Sequence, residues 1–431
     1  MKMIERAARA TCLLSSFGVA LAFAGCEDAA GPNNNLGGNP CRESSAEASA
    51  SPVTAGSSIT ILGRGVTCER YTAEVAARGD YAYTTTWSTR GRNDGNAVKV
   101  WDVSASPQLV DSLIIEDAAT TGDVQISEDG RWLVVATEFQ TGSIVAYDLE
   151  DPAHPRLVSR HMSDDTRDNG VHTVKLYRDD ASGKLYAFLS VNDGTRPSRL
   201  VVVDLSDPAN PREALVRAMG DPFIHDVFVR DGLLFTALWN GGMTIWDIGR
   251  AGRGGSPENP VAISNIKTVG SADRGSARVH NMWWFHNPQN GEKRYVFVGE
   301  EIPAVIGEYT GDVHVVDISD IDDPQEVAFY HVPGAGAHNF TMDEQSGILY
   351  AAFYSGGVRA LDVRGDLGDC AAEHRAADGR CDLTLAGREA AVALGGNGDV
   401  SIWGVARVGD LLYASDMLSG IFKLDASALA R

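Results

Sequence analysis

The chain has 431 residues, is 44% hydrophobic and 22% charged, and carries 58 acidic against 37 basic side chains for a formal net charge of −21. That charge repels a phosphate backbone and excludes nucleic acid as a partner. The length and apolar share are sufficient to bury a large core, and a repeat architecture holds such a length in one domain.

In chain order, the first expected element is an export signal over residues 1–25. Lys2, Arg6 and Arg9 precede the apolar stretch ATCLLSSFGVALAFAG, which is too short and too rich in Ser and Gly for a lasting membrane span. It ends in Leu21-Ala22-Phe23-Ala24-Gly25-Cys26, which resembles a bacterial lipobox with Phe23 in place of the usual Leu. The resemblance implies lipidation of Cys26 and attachment to the bacterial cell envelope on its extracytoplasmic side, periplasmic or cell-surface. Ordinary secretory cleavage after Ala24 is the competing expectation. Residues 26–56 are rich in Gly, Asn, Ser and Pro, cannot form a core, and read as a disordered tether.

From residue 57 to 431 the chain repeats itself. A β-branched run closing on Asp recurs at Asp102, Asp148, Asp204, Asp247, Asp317, Asp362 and Asp425, spaced 43 to 70 residues apart. Four copies continue into a turn, as in VVDLSDPANP. Ahead of each Asp phrase stands a hairpin, such as DVFVRDGLLFTAL, in which Gly, Asp or Asn separates two β-type runs. Hairpin, Asp strand and a fourth strand make four antiparallel strands per unit, so the chain is all-β and predicts a seven-bladed β-propeller. The last unit stops after its third strand. The run Ser57 to Val66 has no hairpin partner and is expected to close the ring as the missing fourth strand, hiding two edges.

Of six cysteines, Cys12 leaves with the signal and Cys26 carries lipid, which leaves four for an oxidising compartment. Four cysteines allow three pairings. Pairing nearest neighbours gives Cys41 with Cys68, and Cys370 with Cys381 across a charged insertion in the sixth blade. Neither pair has zinc-ligand spacing.

The Asp phrases, together with IHDV, VHNM and AHNF at the head of three hairpins, resemble the LVIVD-repeat proteins, which are secreted or lipid-anchored bacterial β-propellers. The resemblance covers roughly residues 70–430 and implies a fold and an extracytoplasmic setting without a defined activity.

Two repeated positions separate architecture from chemistry. The recurrent Asp sits where a strand enters a turn, and one carboxylate at one place in every unit is expected to fix that turn by accepting backbone N–H groups. The second position, at the head of each first strand, reads Ala73, Gly122, His172, His225, His280, His338 and Trp403. First strands line a propeller's channel, so four histidines are expected to converge near one mouth. Asp123, Asp226, Asn281 and Asn339 stand next to these head positions. The ends of the second strands should bring Glu138, Asn192, Asp193, Asn240, Glu300, Glu301, Tyr354 and Asp416 to the same opening. Three readings are open here. The histidines bond neighbouring blades, or they bind a transition metal through neutral imidazole with carboxylates behind them, or the mouth holds a small molecule or peptide without metal. The remaining histidines, among them His314, follow no repeat and are expected at the surface or in turns. The sequence thus points to an envelope lipoprotein acting as a binding or scaffold propeller. A metal-dependent enzyme, such as an oxidoreductase, with its site at the channel mouth is the alternative.

Overall fold

The computed structural model describes residues 59–430, apart from 68, 88–94, 139–140, 169, 193–196, 221–222, 272–274, 303–309 and 396–399. The expected signal and tether, the lipidation residue Cys26 and the Cys41–Cys68 pair lie outside the described residues. No helix among those described is long and apolar enough to cross a membrane.

Seven antiparallel sheets follow one another along the chain. Blade 1 consists of Tyr71–Arg78, Tyr81–Trp87, Ala97–Asp102 and Gln108–Ile114, ordered from the axis outward. Blades 2 to 6 repeat the plan. The first strands of neighbouring blades touch all the way round, blade 7 meeting blade 1, so they enclose a central channel. Each first hairpin turns on a glycine at positive φ, from 57° at Gly79 to 77° at Gly291, a conformation that a Cβ makes strained.

Sheets stacked around an axis are covered on both faces, and the strands read as continuous apolar runs for that reason. LYAFLSV of Leu185–Val191 is buried at every position. The core divides into one apolar cluster for each of the seven blade interfaces. An eighth gathers Tyr71, Ala73, Trp87, Tyr354, Trp403 and Met417 at the end of the channel.

Ring closure is as expected. Thr60–Val66 pairs antiparallel with Gly420–Asp425 as the outer strand of blade 7, with Thr60 opposite Asp425. The Lys423 ammonium then donates to the carbonyls of Val103, Ser104 and Ala105 in blade 1, at 2.6 to 3.2 Å. All seven recurrent Asp carboxylates accept the backbone N–H two residues on, at 2.8 to 3.0 Å. Asp247 goes further and also takes the N–H groups of Arg250, Ala251, Arg253 and Gly255.

Cys370 and Cys381 are bonded. The insertion they staple leaves blade 6 and pads blade 5, where Cys381–Asp382 adds a short parallel strand against Gln325–Tyr330. His314 corrects an expectation: it is fully buried in the third strand of blade 5 rather than at the surface. Its Nδ1 lies 2.8 Å from Glu326 and its Nε2 3.6 Å from Glu300. Burial opposes charge on this ring, but the two carboxylates outweigh it and raise its pKa to about 10.

Candidate functional site

A first strand has to present a side chain to the axis at its very start, and a local device makes it do so. In blade 3 the ladder steps from Val171↔Val191 to Thr173↔Ser190, leaving His172 on a β-bulge. Trp403 is bulged in the same way between Ile402↔Asp416 and Gly404↔Ser415. Blades 1 and 5 carry the irregularity at Ala73-Glu74 and His280-Asn281. In blades 4 and 6 the strand proper starts after His225 and His338, whose N–H groups still bond Ala237 and Ala352 at 2.8 Å. A bulge adds a residue, twists the strand and re-aims the side chain.

The result is a circle of rings. Centroids lie 4.3 Å apart from His172 to His225, 4.2 Å to His280, 4.1 Å to His338 and 4.3 Å to Trp403. Trp403 packs on Trp87 at 5.4 Å, and Trp87 meets His172 edge-on at 6.4 Å. All four histidines are buried. The second strands return to the same end and finish near Trp87, Glu138, Asn192, Trp239, Glu301, Tyr354 and Met417. Trp239 and Tyr354 sit at φ of 48° and 43°, a region rare for bulky residues and held here by packing, with Trp239 stacked on His225.

Each of three histidines has one nitrogen fixed by a neighbour. His172 Nδ1 lies 2.9 Å from Glu138 Oε2. His225 Nδ1 donates to the His280 carbonyl at 3.2 Å, and His338 Nδ1 to the Trp403 carbonyl at 2.7 Å. The other nitrogens turn inward: the Nε2 atoms of His172 and His225 lie 3.0 Å apart. His280 makes no hydrogen bond through either nitrogen, and Nε2 of His338 has no partner. Glu301 Oε2 faces this group, 3.6 Å from His280 Nε2 and 3.9 Å from His225 Nε2, while Tyr354 donates to Oε1 at 2.5 Å.

Burial, reinforced by the neighbouring histidines, holds His225 and His280 well below the ordinary imidazole range. Burial also brings His338 down to about 3. These rings are neutral at physiological pH and offer lone pairs. His172 is the exception: burial opposes charge, but Glu138 and more distant carboxylates lift its pKa above the ordinary value.

The circle lies at the head of an axial cavity of about 300 Å³ that continues along the strands past Trp283 and Arg407. One step further in stand Glu74, Asp123, Asp226, Asn281 and Asn339. Asp123, Asp226, Asn281 and Asn339 therefore line the cavity wall below the circle instead of the mouth, because each follows the head residue of its first strand, Gly122 in blade 2 and a histidine in blades 4, 5 and 6. Burial, then repulsion from Asp123, raises Glu74 to about 8 and Asp226 to about 7.

Of the remaining expected residues, Glu138, Asn192, Glu301, Tyr354 and Trp403 lie at the circle's end of the channel. Glu300 does not. Neighbours on a strand point to opposite faces, so with Glu301 at the axis Glu300 turns into blade 5. There it accepts from Ser271 N–H at 3.1 Å and from Asp312 N–H at 3.3 Å. Asp416 likewise fixes a turn, accepting the N–H groups of Ser401 and Leu418 at 2.8 and 3.3 Å. Asn240 is exposed, and Asp193 lies outside the described residues.

The family model of the LVIVD repeat matches residues 182–216, from the first hairpin of blade 3 into its outer strand. The chain thus carries an LVIVD repeat in a propeller. The crystal structure of the β-propeller domain of Cps50 (Swd1) from Myceliophteria thermophila is similar, with a TM-score of 0.56 at 12% identity over 85% of this chain and 99% of that one. At that identity the likeness is one of fold. No curated protein matches the chain.

Proposed function

We propose that the protein is a bacterial envelope lipoprotein whose propeller acts as a binding scaffold, taking a small ligand at the head of the axial cavity. One observation carries the reading. A position that serves only the fold repeats one residue, as the recurrent Asp does, whereas the second-strand ends present Trp87, Glu138, Asn192, Trp239, Glu301, Tyr354 and Met417. Varied polar and aromatic groups converging over a buried cavity suit one asymmetric ligand. A volume of about 300 Å³ is at the lower bound of small-molecule sites.

The tether rests on the lipobox-like Leu21 to Cys26. Its supporting geometry is that the strand Thr60–Val66 begins beside Asp425, at the Asp-turn end of blade 7, on the face opposite the histidine circle.

Two measurements test this. Wild type should partition with membranes and Cys26→Ser should be released or left unprocessed, whereas an unmodified N-terminus at Gly25 would overturn the anchor. Ligand-observed NMR of the Cys26→Ser protein against a small-molecule fragment set, after chelation, should yield binders that Trp403→Ala abolishes. Binders indifferent to that substitution, or none, would overturn the cavity as a binding site.

A further inference from the structure

We infer that a divalent transition-metal ion is held at the head of the channel by His225, His280 and Glu301, with His172 beside them. This rests on the reading of the cavity as the binding site and names one occupant.

The first ground is geometry. One donor atom from each of His225, His280 and Glu301 lies within 4.8 Å of the others, and all three residues are buried. Ligands about 2.1 Å from a tetrahedral centre lie roughly 3.4 Å from one another. The separations of 3.6 and 3.9 Å from Glu301 Oε2 to the two histidines, and of 3.0 Å between His172 and His225, require only small movements to reach that arrangement.

The second ground is an unmet demand. A buried polar atom without a partner costs about 1–3 kcal/mol, and native proteins leave few of them. His280 is 2% exposed, and both its ring nitrogens are without a hydrogen bond, as is His338 Nε2. Carbon would fill this space at no such penalty, so imidazole here calls for something that accepts its lone pair.

The third ground is orientation. Metal-ligating histidines characteristically fix the non-ligating nitrogen on a carboxylate or carbonyl. Glu138 does this for His172, and the carbonyl of His280 for His225. Tyr354 holds the far oxygen of Glu301, leaving the near one toward the histidines. The ligand set is therefore not a square of four histidines. A carboxylate from a second strand enters it, and His338, fixed on Trp403, flanks it. Two or three imidazoles with one carboxylate suit Zn²⁺, Fe²⁺ or Cu²⁺, whereas Ca²⁺ and Mg²⁺ require oxygen ligands.

The test uses tag-free Cys26→Ser protein, stripped with chelator and titrated by calorimetry with Zn²⁺, Co²⁺ and Cu²⁺, with Co²⁺ absorption and Cu²⁺ paramagnetic resonance reporting the ligands. One equivalent should bind, with nitrogen hyperfine structure in the Cu²⁺ spectrum. His280→Ala and Glu301→Gln should each weaken binding by at least about 100-fold while unfolding remains cooperative. His154→Ala, on the exposed surface, should change nothing. Failure of all three ions to bind stoichiometrically, or binding unchanged in Glu301→Gln, overturns the metal. Should His280→Ala not fold, the Glu301 variant and the wild-type spectra still decide. Fragments that bind the stripped protein would leave the binding cavity standing while the metal falls.

Discussion

The two faces of the propeller use its seven-fold repeat in opposite ways. On one face every third strand ends in an Asp that accepts the N–H two residues on, and in each blade that Asp or its neighbour pairs with the start of the second strand, as Asp102 does with Tyr81 and Asp425 with Leu411. On the other face no single residue type fills the position that ends the second strands. Turn geometry is the same problem seven times and has one solution, so it stays constant. The channel end has to meet one object from seven directions, and its residues diverge. The circle of first-strand heads lies between these extremes, repeating histidine in four blades and abandoning it in three.

The largest expected effect breaks this division, because one histidine beyond the circle behaves as architecture. His314→Gln leaves Glu300 buried without its cation and Glu326 with Arg380 alone, and should lower stability by about 3 kcal/mol at pH 6. The sign with pH follows from a folded-state pKa of about 10 against an ordinary 6.5. The contribution is complete below 6.5 and is lost as pH rises through 10. Urea unfolding of wild type should therefore weaken between pH 7 and 10, and the variant should show a flatter profile over the same range.

Next, Asp247→Ala removes an acceptor of five backbone N–H groups and should destabilise by about 2 kcal/mol while leaving channel binding unaltered. A variant as stable as wild type would contradict the structural reading of the Asp turns. A smaller, opposite effect should come from the cavity wall. Glu74 has a folded-state pKa of about 8 against 4.5, so its burial is tolerated while it is protonated and becomes unfavourable as pH rises from 4.5 through 8. Glu74→Gln should melt near wild type at pH 5 and a few degrees above it, roughly 3 °C, at pH 9. Equal melting at both values would argue that Glu74 is not the group that resists ionisation.

The fold was readable because its punctuation repeats. Seven Asp phrases, seven hairpin glycines and one unpaired run of strand residues define blades, turns and closure without any tertiary information. The histidine circle was readable for the same reason, since equal places in equal units must meet at the axis. That Glu301 reaches the axis and Glu300 does not was hidden. Alternation along the strand turns only one of two adjacent carboxylates inward, and the sequence does not mark where the second strand's pairing stops, at Val279 opposite Glu300. His314 left a signal that could have been used. It stands three residues before its Asp, where blades 1 and 6 carry Lys99 and Arg359, and each of these three pairs with a Glu in the structure. A basic residue inside an otherwise apolar run, recurring at one place, announces an ion pair.

The seam where Thr60–Val66 meets Gly420–Asp425 has a mechanical meaning. A pull applied at Thr60 along the strand direction enters blade 7 at the end beside Asp425. Force in that direction shears the rungs from Thr60 to Val66 together instead of peeling them one at a time, and shear is the geometry in which a short β-ladder resists most. The same seven residues that complete the ring would also serve as its strain-bearing latch, resisting a pull along the strand until the rungs yield together.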